Sequence, residues 1–378
     1  MSKPLNRPIR VLIIDDSPFI RMTLKTILSR DPDIQVVDMA RDGSEGILKL
    51  KEHRPDVITL DVEMPVMDGL QALREIMRWQ PTPAIIVSSL TTEEASLTMK
   101  AFDLGAVDVV AKPVGNRGND LNTLASDLIL KVKSVAEIDP RKLFRARTAG
   151  QQTISAERSA GKNSERPQEK RNGGGYRGPA KDMPKHRIDI VAIGTSTGGP
   201  SALQTVLGGL SGDIPVPIVV AQHMPPGFTA SLANRLNGIC AVSIKEIENG
   251  ELLKPGIAYI GQSGMQMMIE RSGGDLIARV SDQSPISTLY KPSVDVMFMS
   301  LAKAVGAGVL GVVLTGMGND GRAGMKELKA EGAYSIAESE KTCIVYGMPR
   351  SIVDAGLADR VELLSDISKI IMECTARR

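Results

Sequence analysis

The chain has 378 residues, enough for two or three domains, and its 42% hydrophobic and 24% charged content is that of an ordinary soluble globular protein. A formal net charge of +2 gives no reason to expect nucleic acid, and three scattered cysteines (Cys240, Cys343, Cys374) with no C-x-x-C pair argue for a reducing compartment and against a zinc site. The opening "MSKPLNRPIR" has no apolar leader core, and no apolar run approaches about 20 residues, so a cytoplasmic protein without direct membrane insertion is expected.

Residues 8–125 repeat one unit. "VLIID" (11–15) is an apolar run ending in acid, as buried parallel strands do. A helical stretch from Pro18 to Arg30, a strand "IQVVDMA" (34–40) and a second helical stretch near 44–53 follow. "VITLD" (57–61), "AIIVSS" (84–89) and "DVVAK" (108–112) are again separated by helical lengths, and an amphipathic stretch near 119–136 closes the unit. Five strands alternating with helices predict a parallel, doubly wound sheet of order 2-1-3-4-5, covered on both faces.

Residues 139–187 break this pattern. They hold thirteen Lys and Arg against five Asp and Glu, so +8, and the rest of the chain carries −6. Polar and rich in Gly, Ser, Pro and Arg, the segment lacks the apolar surface that would offset ordering, and a flexible basic linker is predicted. From 188 the alternation returns. "IDIVAIGTS" and "PIVVAQH" are strands, 241–281 is β-rich with Gly turns, a helix follows Pro292, "GVLGVVLTG" (308–316) is a long buried strand, and "AYSIAE" is the last strand before two helices. This is a second doubly wound α/β domain with an extra β-rich segment.

Asp15 and Asp16 end the first strand, Asp61 the third and Lys112 the fifth, so one rim of the first sheet would gather three carboxylates and an ammonium. Crowded carboxylates resist ionising together, and Mg²⁺, which prefers oxygen ligands, would relieve them. Such a site could bind a phosphoryl group, with Asp61 as acceptor and Ser88, at the end of strand four, as hydrogen-bond donor. "LIIDDSP", "VITLDVEMPVMDGL", "VSSL" and "AKPV" resemble the receiver domain of two-component response regulators. The resemblance implies phosphorylation of Asp61 by a histidine kinase, a Mg²⁺ site from Asp16, Asp61 and the carbonyl of Glu63 with Asp15 close by, and phosphoryl contacts from Ser88 and Lys112.

"GTSTG" (194–198) fits G-x-S-x-G, which mounts a serine on a sharp strand-to-helix turn. Taken alone it is equally a structural turn or an anion-binding loop, although both phosphate-loop patterns fail on it. A serine nucleophile needs a base. Of three histidines, His53 lies in the first domain, His186 in the basic linker, and only His223, after "IVVAQ", shares the rim of Ser196. Asp320, in "VVLTGMGNDG", also follows a strand and would orient that imidazole, or else serve only as a turn acid or helix cap. Backbone amides at Thr197–Gly199 and the turn containing Met317 are available oxyanion donors.

"IGTSTGGP", "AQHMPPGFTASLANRL", "KPSVDVMFMS", "LTGMGNDGRAGM" and "VYGMPR" resemble the catalytic domain of the CheB family of chemotaxis protein-glutamate methylesterases and glutamine deamidases. The resemblance implies Ser196 as nucleophile, His223 as base, Asp320 as its partner, and the Met317 amide with Thr197 in the oxyanion hole, with no cofactor for the esterase. It implies methylated glutamates on the cytoplasmic helices of chemoreceptors as substrates, a chemotaxis histidine kinase as phosphodonor, and inhibition by the unphosphorylated receiver. Boundaries follow at 1–138 for the receiver, 139–187 for the linker and 188–378 for the catalytic domain. "GQSGMQM" (261–267) and Tyr290, where a histidine is common, depart from the family pattern outside the triad. A receiver-driven nucleotide-binding module, a DNA-binding regulator and a same-fold esterase acting on another protein are the alternatives.

Overall fold

A computed structural model describes residues 7–112, 118–138 and 183–376, with side chains from 124 onward in the second of these stretches. The expected linker therefore lies almost wholly outside the described residues.

The N-terminal sheet is β1 (Ile9–Ile14), β2 (Ile34–Ala40), β3 (Val57–Asp61), β4 (Ala84–Ser88) and β5 (Asp108–Ala111), all parallel, in the predicted order β2-β1-β3-β4-β5. Every residue of β3 and β4 is buried, which is why these segments read as near-continuous apolar runs. Five helices cover the faces: α1 (Pro18–Leu28), α2 (Gly43–His53), α3 (Gly69–Trp79), α4 (Thr92–Leu104) and α5 (Gly118–Ala136). Ser17, Asp42, Asp68 and Thr91 start the first four, each side chain accepting an amide of the first turn.

The C-terminal sheet has seven parallel strands. β6 (Ile190–Thr195) and β7 (Ile218–Gln222) are followed by β8 (Ser243–Glu246) and β9 (Ile257–Ile260) on one side. The chain then makes an antiparallel hairpin, β10 (Gln266–Ser272) and β11 (Asp275–Ser281), before returning to the other side of β6 with β12 (Val309–Val313), β13 (Tyr334–Glu338) and β14 (Arg360–Glu362). The order is β14-β13-β12-β6-β7-β9-β8. The expected β-rich segment thus divides between the edge of the main sheet and a separate hairpin. β14 escaped the sequence reading because it is three residues long and two of them, Arg360 and Glu362, pair with each other. The helices are α6 (Gly199–Gly208), α7 (Phe228–Asn237), α8 (Val294–Ala304), α9 (Arg322–Ala330), α10 (Met348–Asp354) and α11 (Leu364–Thr375).

The two sheets do not stand apart. Ala95, Met99 and Phe102 of α4 belong to one continuous apolar cluster with Leu203 of α6 and Phe228 and Leu232 of α7. Asp103 of α4 pairs with Arg235 of α7. Ile344 and Val345, ahead of α10, pack on the cluster formed by Val107, Val110, Leu128 and Val132. The α4–β5–α5 side of the N-terminal unit is therefore docked on the C-terminal unit. Among the described residues no helix is long and apolar enough to cross a membrane, and no disulfide forms: Cys240 is half-buried, Cys343 and Cys374 are buried, and all three are thiols.

Candidate active site and phosphoacceptor site

Strand ends build the first site. Asp15 follows β1, Asp61 closes β3, and one oxygen each of Asp15, Asp16 and Asp61 lie within 4.8 Å of one another. Lys112, just past β5, donates from Nζ to Asp61 Oδ2 at 2.7 Å and lies 3.8 Å from Asp15 Oδ2. Burial, then the charge of Asp61, pushes the Asp15 carboxyl up to about 6 against the pull of Lys112. Burial likewise raises Asp61, although the Lys112 hydrogen bond opposes it. Asp15 Oδ2 is buried without a hydrogen-bond partner. An orphaned anionic oxygen facing two further carboxylates is what a hard divalent cation would satisfy, so these residues fit Mg²⁺. The Glu63 amide meets Asp61 Oδ1 at 3.4 Å, which holds that backbone beside the carboxylate.

Ser88 makes no hydrogen bond to Asp61. Its hydroxyl donates to Glu94 Oε2 at 3.1 Å and accepts from Thr98 at 3.1 Å. Glu94 sits in the first turn of α4 and also takes the Ser89 amide, so the end of β4 is tied to α4 instead of the rim.

The second site lies at the switch point of the seven-stranded sheet, where the chain runs outward from β6 in one direction and later fills the other side with β12. Ser196 directly follows β6 and His223 directly follows β7. Thr195 and Gln222 are register partners, and the His223 amide donates to the Thr195 carbonyl at 3.1 Å, so the two candidate residues leave adjacent strands side by side. The Ser196 amide donates to the Thr315 carbonyl at 3.1 Å, and the Thr315 hydroxyl to the Thr197 carbonyl at 2.9 Å, which pins the turn to the β12 side. Gly198 has φ +78°, the left-handed region, so the bend falls two residues after the serine and Ser196 itself needs no left-handed backbone. A Cβ at Gly316 would meet the Ser196 backbone and Cβ at about 3 Å, so the close approach of the two turns requires glycine there.

His223 Nε2 and Asp320 Oδ2 are 2.8 Å apart. Asp320 is buried and accepts three further bonds, from Ser293 Oγ at 2.9 Å, Val294 N at 2.7 Å and Asp295 N at 3.0 Å. It accepts the first amides of α8, whose N-cap is Ser293, as well as serving the imidazole. Burial pushes the Asp320 carboxyl up, and the His223 hydrogen bond with the α8 amides outweighs it, holding the group below its ordinary range. His223 Nδ1 is buried and unpartnered. No hydrogen bond joins it to Ser196, so the structure unites His223 with Asp320 and sets Ser196 on the neighbouring turn. Of the other histidines, His53 Nε2 pairs with Asp38 at 3.1 Å and His186 is exposed.

Two of the Thr197–Gly199 amides expected as anion donors are already used. The Gly199 amide donates to the Ser196 carbonyl at 2.8 Å, and the Gly198 amide donates to Val107 O, just ahead of β5, at 3.0 Å. The same face continues across the site. Thr197 Oγ1 donates to Asp108, and Ser134 of α5 contacts Met317. Asp108 is also 3.1 Å from Lys131, which lies 3.1 Å from Asp127. Burial alone would lower Lys131, but the two carboxylates outweigh it. Ser196 is only 8% exposed. Asp108, Lys131, Ser293 and Thr315 were not singled out from sequence, since a polar residue at a strand start or loop carries no mark of its distant partner.

Residues 11–122 match the response regulator receiver domain model and residues 191–371 the CheB methylesterase model. The chain is 55% identical to a protein-glutamate methylesterase/protein-glutamine glutaminase of Desulfitobacterium hafniense, with all of both chains covered. It is 46% identical to a second such protein from Nitratidesulfovibrio vulgaris, over 96% of this chain and 98% of that one. The crystal structure of the Thermotoga maritima CheB methylesterase catalytic domain covers 50% of this chain and 99% of its own length, at 38% identity and a TM-score of 0.48.

Proposed function

Because the chain belongs to the CheB family of protein-glutamate methylesterases and protein-glutamine glutaminases, with a response regulator receiver ahead of the esterase, we propose that it removes methyl groups from glutamate γ-esters on chemoreceptor helices and deamidates receptor glutamines, under control of phosphorylation at Asp61. Residues 1–138 act as the receiver, 139–187 as the tether and 188–378 as the enzyme, and the reaction takes place in the cytoplasm.

The observation that carries this reading is the Asp320-bonded imidazole of His223 emerging beside Ser196 at the sheet's switch point. Ser196 Oγ attacks the ester carbonyl while its proton passes to His223 Nδ1, the nitrogen that Asp320 does not hold. The tetrahedral oxyanion draws on amides of the Thr197 and Met317 turns. Collapse breaks the C–O bond of the ester, or the C–N bond of glutamine, and the His223 proton leaves with methanol or with ammonia. Water, deprotonated by His223, then releases glutamate and restores Ser196. Hydrogen bonds of resting active sites are often incomplete and tighten with substrate, which fits the open Ser196–His223 pair. No cofactor is needed for these steps.

In the receiver, Asp15, Asp16, Asp61 and the Glu63 carbonyl would hold Mg²⁺, which when bound offsets charge on the incoming phosphoryl group. A histidine kinase is the phosphodonor, Lys112 contacts the phosphorylated Asp61, and Ser88 joins it only after leaving Glu94. The docked face supports inhibition by the unphosphorylated receiver, since Val107, Asp108 and Ser134 sit on the turns that must admit substrate. The deciding experiment is methanol release from methylated receptor membranes with and without a small-molecule phosphodonor. Absence of release in both conditions would refute the reading.

A further inference from the structure

Tyr290 stacks on the catalytic imidazole. The rings of His223 and Tyr290 are 4.1 Å apart between centroids and within 2° of parallel. Few side-chain pairs lie so flat unless both are held, and both are. Asp320 fixes His223 from its Nε2 edge. Gln266, fully buried at the start of β10, fixes the Tyr290 segment from two sides: its Nε2 donates to the Tyr290 carbonyl at 2.8 Å and its Oε1 accepts the Ser293 amide at 2.9 Å. Ser293 in turn donates to Asp320. One buried amide therefore sets the tyrosine against the imidazole and the cap that carries the aspartate.

We propose that Tyr290 is a positioning residue for His223, holding the imidazole plane so that Nδ1 stays turned toward Ser196 and presenting a π-face to the cation formed when the base takes its proton. This rests on His223 being the base. An imidazole anchored through one nitrogen can still swing about that bond, and a flat neighbour on its face restricts the swing. A ring face also attracts a positive charge above it. The phenol suits the place because it stays neutral: burial, then the charges of Asp320 and Asp127, pushes its hydroxyl up. Its hydroxyl reaches toward Gly318, where a Cβ would lie 3.4 Å away, so the ring spans the gap between the base and the Met317 turn. The charged groups facing the stacked pair are Asp320 at the imidazole edge and, from α5, Asp127, with Lys131 acting on the Tyr290 ring.

The test uses the full chain, a phosphodonor and methylated receptor membranes, comparing wild type with Tyr290→Phe and Tyr290→Leu. Leucine is expected to lower kcat about 3- to 10-fold with KM unchanged, and to move the acid limb of the kcat/KM profile down by about half to one pH unit, as loss of a cation-favouring face requires. Phenylalanine, which keeps the face and loses only the hydroxyl, should restore both. Ring-proton resonances give a readout independent of turnover: with three histidines in the chain, the His223 signal should be displaced by the stacked ring in wild type and Tyr290→Phe and return toward the exposed position in Tyr290→Leu. A Leu variant with unchanged kcat and acid limb overturns the proposal, as does a Phe variant as impaired as Leu, or a His223 resonance indifferent to both. His223→Gln run alongside separates the premises. Its inactivity with an unaffected Leu variant removes only the role of Tyr290, whereas its full activity removes the base assignment and the positioning role together.

Discussion

Thr197 Oγ1 lies 2.5 Å from Asp108 Oδ2, a hydrogen bond between buried side chains of two different units, one beside the candidate nucleophile and the other at the start of β5. Asp108 is shared with Lys131, so its removal loosens the docked face without touching the triad. Asp108→Ala is expected to raise methanol release without phosphodonor by about tenfold, the effect of losing a charge-assisted bond of about 1.5 kcal/mol, while the stimulated rate stays at the wild-type level. Basal activity that does not move would count against docking as the brake.

Arg235 and Asp103 tie α7 to α4 at the edge of the same face. Arg235→Glu places two acids there and should also raise basal activity, by less than Asp108→Ala because the pair is part-exposed. Adding Asp103→Arg reverses the pair and should return basal activity toward wild type. A double variant as active as the single one would mean that the contact does not hold the units together.

Ser196→Ala and His223→Gln should each reduce turnover by about 10³-fold or more, with unfolding midpoints near wild type. Asp320→Asn should differ in kind. The carboxylate accepts from Ser293, Val294, Asp295 and His223, and an amide nitrogen would turn donors toward some of these. Loss of activity should therefore come with a loss of about 1–3 kcal/mol in stability, read from denaturant unfolding.

Asp61→Asn removes the acceptor oxygen and should abolish stimulation by a phosphodonor while basal hydrolysis persists. Chelating Mg²⁺ should do the same to the wild-type chain and leave basal hydrolysis intact, because the orphaned Asp15 oxygen belongs to the receiver alone. Stimulation that survives either treatment would place control elsewhere.

The strand order of the first sheet and the positions of Asp15, Asp61 and Lys112 were legible because buried parallel strands and acids at their ends leave a local pattern. Ser196 and His223 were legible for the same reason, each ending an apolar run. Asp320 was legible as the partner of His223, but its bonds to α8 were not: that helix starts more than 20 residues back in sequence, and nothing local marks a carboxylate as belonging to Val294 and Asp295. Ser88 ends β4 as expected, yet its hydroxyl follows Glu94, a choice made by side-chain geometry beyond the reach of spacing. The docked face was invisible for a related reason. Asp108 reads as an ordinary strand residue, and only the fold shows Thr197 opposite it.

Val107 gives its carbonyl to the Gly198 amide on the turn that carries Ser196. On the proposed reading, cover and ester compete for one place, and a tether between the units would make the cover an intramolecular competitor at high local concentration. Linkage then runs in both directions: whatever frees the turn for the ester must also favour the undocked receiver, so an abundance of methylated target would itself ease the release of the enzyme that erases it.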